Sequence, residues 1–301
     1  MKVTSDVKSD VKRVIEGAAR SAENGVAPDE GEGLSISIVV YHPDVALLGR
    51  TLHTLGRACE RLRAMSPGLP IEVFLVNNGG FDSGSAILGE LAAYDIRCEV
   101  IAGHGNVGYG CGHNLAIVRA TSRLHLILNP DVDLDAQAFV VAAAFFDAHP
   151  EVGLLTPRIE EEDGSLQYLC RRYPSLFDLF VRGFAPASVR RLMARRFARY
   201  EMRDTIDGTS TVWDPPIVSG CFMLFRTGLL QKLGGFDARY FLYFEDYDLS
   251  LRAHELMRVA FVPDVRVVHH GGGASRKGMK HIRLFGVSAF KFFNRFGWRL
   301  W

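Results

Sequence analysis

The sequence has few cysteines, and their number and spacing exclude two classes of protein. Five cysteines are scattered through 301 residues, and no two of them form a CxxC pair. An odd number of scattered cysteines is not typical of a disulfide framework or of a zinc knuckle. The pattern fits a reducing compartment best, so we expect a cytoplasmic protein.

Long apolar runs and an excess of charge are also missing. The longest apolar run, 139–146, is far too short to span a bilayer, and the N-terminal residues lack the apolar core of a signal peptide. A net charge of +1 gives no general attraction to nucleic acid. We therefore expect no nucleic-acid partner, and a local patch would have to bind any electrostatic partner.

Alternating predicted strands and helices begin at residue 34, after a polar extension (1–33) with at most a short helix at 11–19. The predicted strands of the first half are 35–41, 71–76, 97–102 and 124–128. Nearly continuous apolar strands that alternate with helices predict an α/β fold with a mainly parallel sheet, covered on both faces. We assign 34–135 to this first half, 136–275 to a second half built onto its sheet, and 276–301 to a basic, aromatic C-terminal segment.

A glycine-rich turn, 103–108, follows the third predicted strand and precedes a helix. It matches the GxGxxG pattern of dinucleotide-binding proteins, so an NAD(P)-dependent oxidoreductase is one alternative. Two features disfavour it: the turn does not follow the first strand, and the next strand ends in more carboxylates than ribose binding needs. The turn could also be purely structural, with glycines that only permit a positive φ.

Asp131 and Asp133 come just past the fourth predicted strand, at the edge where parallel sheets bind ligands. Hard ions such as Mg²⁺ and Mn²⁺ take oxygen ligands, typically one or two carboxylates together with substrate phosphates. The pair is therefore a candidate metal site, where an ion would make a diphosphate a better leaving group. The alternative is a solvated turn before a helix, although Asp135 is the better candidate for the helix cap.

A further acidic cluster contains Glu245, Asp246 and Asp248, after an aromatic run and at the predicted start of a helix. A helix N-terminus stabilises a carboxylate anion by roughly 0.3–1 kcal/mol at exposed sites, so we expect an ionised group. Beside a pocket, such a carboxylate can take the proton of an attacking hydroxyl as a general base. The alternative is the ordinary enrichment of acidic residues in a first helical turn.

His269 and His270 follow another strand-like segment. An imidazole there could bind a metal ion or a diphosphate, or it could be a hydrogen-bonded structural group. Adjacent residues of a strand point to opposite faces of the sheet. At most one of the two histidines is therefore expected in the site.

Taken in order, these motifs resemble those of glycosyltransferase family 2, and within it the rhamnosyltransferase-like enzymes of bacterial O-antigen and cell-wall assembly. The resemblance covers about 36–275. The segments that carry it are 38–41, 76–79, 106–108, 112–114, 128–131, 219–221, 234–237 and 241–246, with His269, Gly272 and Ser275. Each segment is weak alone, and their common order makes the resemblance specific.

The resemblance implies a GT-A fold, a nucleoside-diphosphate sugar donor, a divalent ion (Mg²⁺ or Mn²⁺), and single displacement with inversion at the anomeric carbon. Asp131 matches the metal-contacting aspartate of the family, Asp246 its general base and Glu245 the acidic neighbour of that base. Asp133 and His269 complete the expected metal site. The candidates for binding the nucleotide sugar are Tyr41, Asn77, Asn78, Asn106, Gly108, Asn114 and Asn129.

Two positions depart from the family pattern. Asn77 stands where many members carry an aspartate that reads the base, and Asn129 replaces the first acid of the usual DxD motif. The family branch alone favours dTDP-L-rhamnose as donor. A non-catalytic GT-A module that binds a nucleotide or glycan is a second alternative, which the presence of both Asp131 and Asp246 disfavours.

Two segments are basic and aromatic. Residues 171–203 contain nine Arg and two acids, and 276–301 contain seven Lys or Arg and no acid. Such mixtures suit an anionic membrane surface, where each basic residue adds on the order of 1 kcal/mol. A lipid-linked glycan acceptor would be found there, which predicts peripheral contact with the inner face of the cytoplasmic membrane. Alternatively, the aromatic side chains of 276–301 pack into the core or a partner subunit.

Overall fold

The computed structural model describes residues 31–82, 86–271 and 278–301. The helix expected at 11–19 and the motif residues Gly272 and Ser275 lie outside these ranges. The strands are β1 (Leu34–Val40), β2 (Ile71–Asn77), β3 (Arg97–Ile101), β4 (Leu124–Leu128), β5 (Val132–Leu134), β6 (Val152–Glu160), β7 (Val212–Trp213), β8 (Phe222–Arg226) and β9 (Arg258–His269). The helices are α1 (Val45–Met65), α2 (Gly89–Ala92), α3 (Tyr109–Ile117), α4 (Ala138–Ala148), α5 (Leu176–Phe184), α6 (Ala187–Leu192), α7 (Ala194–Tyr200), α8 (Thr227–Lys232), α9 (Glu245–Ala253) and α10 (Gly278–Phe296).

The strands form one mixed sheet in the order β3-β2-β1-β4-β8-β6-β9-β5, and β7 also pairs with β9. β1 is parallel to β2 and β4, and β2 is parallel to β3. β8 runs antiparallel to β4 and β6 and so joins the first half to the parallel pair β6 and β9. The predicted α/β class is confirmed, and the second half adds an antiparallel strand to the sheet.

Local sequence explains most of the element boundaries. Asp44 begins α1 by accepting hydrogen bonds from the N–H groups of Ala46 (2.9 Å) and Leu47 (3.2 Å). Residues 86–88 form a 3₁₀ turn, which the short α2 follows. Asp135 accepts from the N–H of Gln137 (2.8 Å), the residue that precedes α4. It therefore stabilises the turn before the helix and does not cap the helix itself.

Two serines interrupt the apolar sequence of β1 because a buried histidine network crosses the sheet there. Ser37 Oγ lies 2.7 Å from His113 Nδ1 and 2.9 Å from His125 Nε2, and Ser35 Oγ lies 2.7 Å from His125 Nδ1. Burial lowers the pKa of His125 to about 3 and that of His113 well below its ordinary value. The network is therefore neutral and pairs these polar groups inside the core, except for Nε2 of His113, which has no hydrogen-bond partner among the described residues.

The C-terminal helix α10 packs against the segment that carries the acidic cluster. Phe292 and Phe293 are fully buried, in a cluster with Tyr240 and Phe244. The guanidinium of Arg295 lies 2.9 Å from Asp248 and 2.7 Å from Asp237. One face of the basic, aromatic C-terminal segment therefore packs into the protein, as the alternative interpretation expected. In the described part of the chain, no helix combines the length and apolarity that crossing a membrane requires.

Candidate active site

The buried hydroxyl of Tyr109 lies within range of the charges of three carboxylates from two distant parts of the sequence. Burial raises the pKa of this hydroxyl well above the ordinary value, and the charges of Glu245, Asp246 and Asp131 act in the same direction. The loop after β4 supplies Asp131, and α9 supplies the other two acids. The structure thus brings together the residues predicted for the metal and for the base.

The backbone before α9 is strained, and this strain directs the acidic pair into the site. Tyr243 and Phe244 both adopt left-handed backbone conformations, with φ of 71° and 65°. Bulky residues rarely adopt this region, and clusters of such residues occur at functional sites. Asp246 Oδ2 accepts a hydrogen bond from the N–H of Gly220 (3.1 Å), and its Oδ1 accepts one from the N–H of Tyr247 (3.0 Å).

Burial changes the protonation expected from the helix terminus. It raises the pKa of Glu245 to about 8, with the charge of Asp246 as the second cause. Burial also raises the pKa of Asp246, whereas the N–H groups of Gly220 and Tyr247 act against that rise. The helix terminus alone therefore does not keep the pair ionised. Glu245, whose Oε2 lacks a hydrogen-bond partner, carries the proton more readily, and Asp246 is the better anion.

Asp131 lies beside His269. Asp131 Oδ1 is buried without a hydrogen-bond partner, 3.6 Å from Nε2 of His269. The other ring nitrogen of His269, Nδ1, lies 3.0 Å from Oε1 of Gln167, whose amide also donates to the His269 carbonyl (2.9 Å). Because Nδ1–H donates to Gln167, Nε2 keeps its lone pair facing Asp131. Burial lowers the pKa of His269, which favours the neutral ring that a metal ion binds.

Gly271 has no side chain, and the small space that a Cβ would fill lies directly against this pair. A Cβ atom on Gly271 would lie 2.4 Å from His269 Nε2 and 2.7 Å from Asp131 Oδ2. Within the described ranges, no group of three His, Cys, Asp or Glu side chains could hold a metal ion. An ion here would therefore take Asp131 and His269 from the protein, and its remaining ligands from substrate phosphates and water.

Asp133 has different partners from Asp131, and its role as a metal ligand stays a prediction. Its Oδ2 lies 2.7 Å from Nη2 of Arg50 and 2.9 Å from Nε2 of His270. The two adjacent histidines therefore contact different aspartates, His269 on Asp131 and His270 on Asp133. The ion pairs of Oδ2 hold β5 to α1 and to the end of β9, whereas Oδ1 is buried without a hydrogen-bond partner among the described residues.

Tyr41 and the glycine turn form the edge of the site expected for a nucleotide. The Tyr41 ring is 54% exposed, edge-on to His42, and 3.6 Å from the position of a Cβ on Gly79. Gly108, at φ 93°, lies so close to Phe241 that a Cβ would be 2.3 Å from its carbonyl oxygen. Only glycine fits at this position, both because φ is positive and because a side chain would clash with the backbone of Phe241.

Three of the predicted asparagines use their amides to hold backbone, and their contact with a nucleotide stays a prediction. Asn114 is 1% exposed and bonds both the carbonyl (2.7 Å) and the N–H (2.8 Å) of Phe236. Asn78 is buried and donates to the Gly108 carbonyl (3.0 Å). Asn77 donates to the Phe81 carbonyl (2.8 Å) and accepts from the N–H of Gly79 (2.9 Å).

The remaining asparagines lie along the same edge. Asn106 Oδ1 accepts a hydrogen bond from the N–H of Gly108 (3.0 Å) and so shapes the glycine turn. The backbone N–H of Asn129 donates to the Cys221 carbonyl (2.9 Å), and its side chain is half-buried beside the loop that carries Asp131. Among the residues predicted to bind the nucleotide, Tyr41 and Asn129 therefore have the side chains that take the least part in holding the fold together.

The sequence patterns did not reveal Tyr109, Gln167 or Arg171. Tyr109 follows the glycine turn, which was its one signal, whereas Gln167 lies in an irregular segment with no motif. Arg171 is buried, donates to the Cys170 carbonyl (2.9 Å) and lowers the pKa of Asp246 through its charge. Each acts on the site through residues distant in sequence.

Solved structures with a similar architecture identify the fold of this chain. A mannosyltransferase from Pyrobaculum calidifontis, in complex with GDP-Man and Mn²⁺, superposes with a TM-score of 0.53 at 17% identity, over 95% of this chain and 75% of that chain. TarS 1-349 of S. aureus, in complex with UDP-GlcNAc, gives 0.52 at 14% identity, over 87% and 67%. This chain matches 40% of a longer TarS chain. The fold is the predicted GT-A fold of glycosyltransferases.

The family follows from the sequence. The sequence model of the protein family described as "Glycosyltransferase like family 2" matches residues 33–281. The chain belongs to this family of glycosyltransferases. It is 28% identical to the N-acetylglucosaminyl-diphospho-decaprenol L-rhamnosyltransferase of Mycobacterium tuberculosis, over 79% of this chain and 76% of the relative. It is 24% identical to Rhamnosyltransferase WbbL of Escherichia coli K12, over 62% and 69%. The oxidoreductase alternative is thereby overturned, and the chain is an enzyme of the transferase class.

Proposed function

We propose that the enzyme transfers L-rhamnose from dTDP-L-rhamnose to a hydroxyl of a lipid-linked glycan acceptor, with inversion at the anomeric carbon. The observation that carries this proposal is the position of Asp246 beside Gly220 and Tyr109, within range of the charges of Asp131 and Glu245. Departure of the diphosphate and deprotonation of the acceptor hydroxyl can occur together only if the groups responsible for them lie close to each other. The rhamnosyltransferase relatives supply the choice of sugar and acceptor.

On the donor side, Asp131 and His269 would hold Mg²⁺ or Mn²⁺. The unpartnered Oδ1 of Asp131, the orientation of His269 by Gln167 and the space at Gly271 fit such an ion. When bound, the ion neutralises charge that develops on the leaving diphosphate. The exposed ring of Tyr41 provides an apolar surface for the nucleobase, and the turn around Asn106 and Gly108 borders the same edge.

On the acceptor side, Asp246 accepts the proton of the acceptor hydroxyl. The hydroxyl oxygen forms a bond to the anomeric carbon as the bond from that carbon to the diphosphate breaks, and the nucleoside diphosphate leaves with the electron pair. The N–H groups of Gly220 and Tyr247 keep the carboxylate oriented and favour its ionised form. Protonated Glu245 beside it avoids two adjacent buried charges.

A panel of donors tests this assignment. The purified protein should transfer sugar from dTDP-L-rhamnose to an N-acetylglucosaminyl diphospholipid faster than from UDP-GlcNAc, GDP-mannose or UDP-galactose, as measured by chromatography of the lipid product. Equal or faster transfer from one of the other donors would overturn the choice of rhamnose and leave the reaction class intact. Nucleotide binding without transfer from any donor would favour the non-catalytic alternative.

We also propose that the enzyme contacts the membrane through one basic and apolar face. The C-terminal tail runs along α5, where the N–H of Leu176 donates to the Arg299 carbonyl (2.9 Å) and the rings of Phe177 and Trp301 lie 4.8 Å apart. Trp301 is 77% exposed, and Leu192, at the end of α6, is 84% exposed. Exposed apolar side chains beside Arg190, Arg191 and Arg195 match the chemistry of an anionic lipid surface.

The structure shows which substitutions are suitable tests of the proposed contact with the membrane. Arg196 is ion-paired with Asp178, so it is a poor test residue, and deletion of 276–301 would remove the buried Phe292 and Phe293. A triple variant of the exposed face, Arg190→Gln, Arg191→Gln and Leu192→Ser, should instead weaken binding to vesicles of phosphatidylglycerol and phosphatidylcholine. Two charges at about 1 kcal/mol each predict a loss of roughly 30-fold.

A matched variant on α1 controls for this loss. Arg57→Gln, Arg61→Gln and Met65→Ser remove the same numbers of exposed charges and apolar side chains from another surface. In a sedimentation assay this variant should bind vesicles with the affinity of the parent. High salt should weaken vesicle binding by the parent, as the substitutions on the exposed face do, because screening acts on the same charges. Equal losses in the two variants, or no binding by the parent, would contradict the proposed face.

A further inference from the structure

Tyr109, the first residue of α3, contacts both loops that approach the acidic pair. Its backbone N–H donates to the carbonyl of Phe241 (3.1 Å), at the start of the aromatic run that leads to Glu245. Its hydroxyl donates to the carbonyl of Gly220 (2.6 Å). The ring packs edge-on against His113, at 4.5 Å between centroids, so the direction of the hydroxyl is fixed.

Gly220 lies between Tyr109 and Asp246. Its carbonyl accepts from the Tyr109 hydroxyl, and its N–H donates to Asp246 Oδ2 (3.1 Å). A Cβ on Gly220 would lie 3.3 Å from the Tyr109 ring and 3.4 Å from Asp246 Cβ. Both neighbours are therefore in close contact with the glycine, and a displacement of Gly220 would move the N–H that the carboxylate binds.

We infer that Tyr109 is a positioning residue for the transfer reaction: by holding Gly220, it fixes the N–H group that orients the carboxylate of Asp246. The inference rests on the proposed role of Asp246 as the base. Tyr109 also follows Gly108 directly, so the turn on the donor side and the carboxylate on the acceptor side are joined through one side chain. This connection keeps the donor side and the acceptor side of the site in a fixed relative position.

Other groups that face Asp246 remain in place when the hydroxyl of Tyr109 is removed. They are Glu245 and Tyr247 on α9, Cys221 after Gly220, Asp131 after β4, and Arg171 on the facing segment. Burial keeps the pKa of Tyr109 well above its ordinary value, so the hydroxyl donates throughout the pH range of an assay. A change in the pH profile on its removal therefore reports the lost hydrogen bond.

The variant Tyr109→Phe keeps the ring and removes the hydroxyl. Because a single hydrogen bond is lost, kcat should fall about tenfold, with the KM values of donor and acceptor within about twofold of the parent. The acid limb of the kcat profile should move to higher pH, since a displaced Gly220 N–H stabilises the anion less. Gly220→Ala, which keeps Tyr109 but crowds the glycine, should move the limb in the same direction.

Tyr173→Phe is the matched control, because the Tyr173 hydroxyl also donates to a glycine carbonyl, that of Gly297, at 2.6 Å. It should leave kcat and the pH profile unchanged, and melting curves check that each variant folds. An unshifted acid limb in Tyr109→Phe or Gly220→Ala, or an equal shift in Tyr173→Phe, would overturn the inference. If Asp246→Asn is inactive while Tyr109→Phe behaves as the parent, only the positioning role fails. If Asp246→Asn is fully active, the proposed base fails.

Discussion

Asp246→Asn should reduce kcat by about 10²- to 10⁴-fold, the usual contribution of a general base. The amide keeps the shape of the carboxylate and loses its basicity. Affinity for the donor should change little, because in the proposed mechanism the diphosphate would be held by Asp131 and a metal ion. In the parent, burial raises the pKa of Asp246, and the base works only when it is deprotonated. Activity should therefore fall with decreasing pH, and the fall should begin at a higher pH than for an exposed aspartate.

Two neighbours of Asp246 serve as controls. Glu245→Gln should act mainly on the KM for the acceptor at neutral pH, where the parent carries a protonated Glu245. Because burial raises the pKa of Glu245 to about 8, the folded parent loses stability as pH rises from about 4.5 to 8. The melting temperature of the Gln variant should therefore rise relative to the parent with increasing pH. A nearly normal kcat in Asp246→Asn with an inactive Glu245→Gln would identify Glu245 as the base.

Asp248, in the first turn of α9, pairs with two arginines inside the protein. It is fully buried, with Arg252 Nε at 2.6 Å and Arg295 Nη1 at 2.9 Å. Asp248→Asn should therefore affect stability more than kcat, because removal of one partner from a buried ion pair typically costs about 3–5 kcal/mol. Denaturant unfolding distinguishes this effect from loss of the base.

Removal of the metal should have the second large effect. EDTA should abolish turnover, and Mg²⁺ or Mn²⁺ should restore it, because the diphosphate needs a cation as charge develops on it. Asp131→Ala should lower kcat by at least about 10²-fold, since several kcal/mol of charge stabilisation are lost. Calorimetric titration with the nucleoside diphosphate should show that metal strengthens binding to the parent and not to this variant.

Asp133→Asn is the matched control for the metal site. Its carboxylate contacts Arg50 and His270, so this variant should keep the metal dependence of binding while losing some stability. Full turnover in EDTA would contradict the metal role. Loss of metal dependence in Asp133→Asn, with Asp131→Ala unaffected, would reverse the assignment of the two aspartates.

The sequence predicted the parallel half of the fold well because its signals are local. β1, β2 and β4 are mainly apolar runs, and each ends in a polar cluster at the same edge of the sheet. The antiparallel β8 and the pairing of β6 with β9 could not be predicted, because strand order depends on long-range packing. The division of the chain at residue 135 remains an expectation, since one continuous sheet spans both halves.

Tyr41 and Asp131 could be proposed as site residues from the sequence because each follows a strand at the same edge of the sheet, and both remain predictions. The structural role of Asn114 could not be predicted, because it depends on the backbone of Phe236, which lies 122 residues away in sequence. The same holds for Tyr109, whose hydroxyl binds Gly220 across the site. The pKa values of Glu245 and Asp246 depend on burial, which a helix-terminus argument from sequence does not include.

The stereochemistry of the product tests the proposed mechanism most directly. A donor labelled with ¹³C at the anomeric carbon should be transferred to the acceptor analogue, and the one-bond carbon–proton coupling of the product gives its anomeric configuration. If Asp246 deprotonates the acceptor in a single displacement, the new linkage must have the configuration opposite to that of the donor. A product with the configuration of the donor would contradict the account.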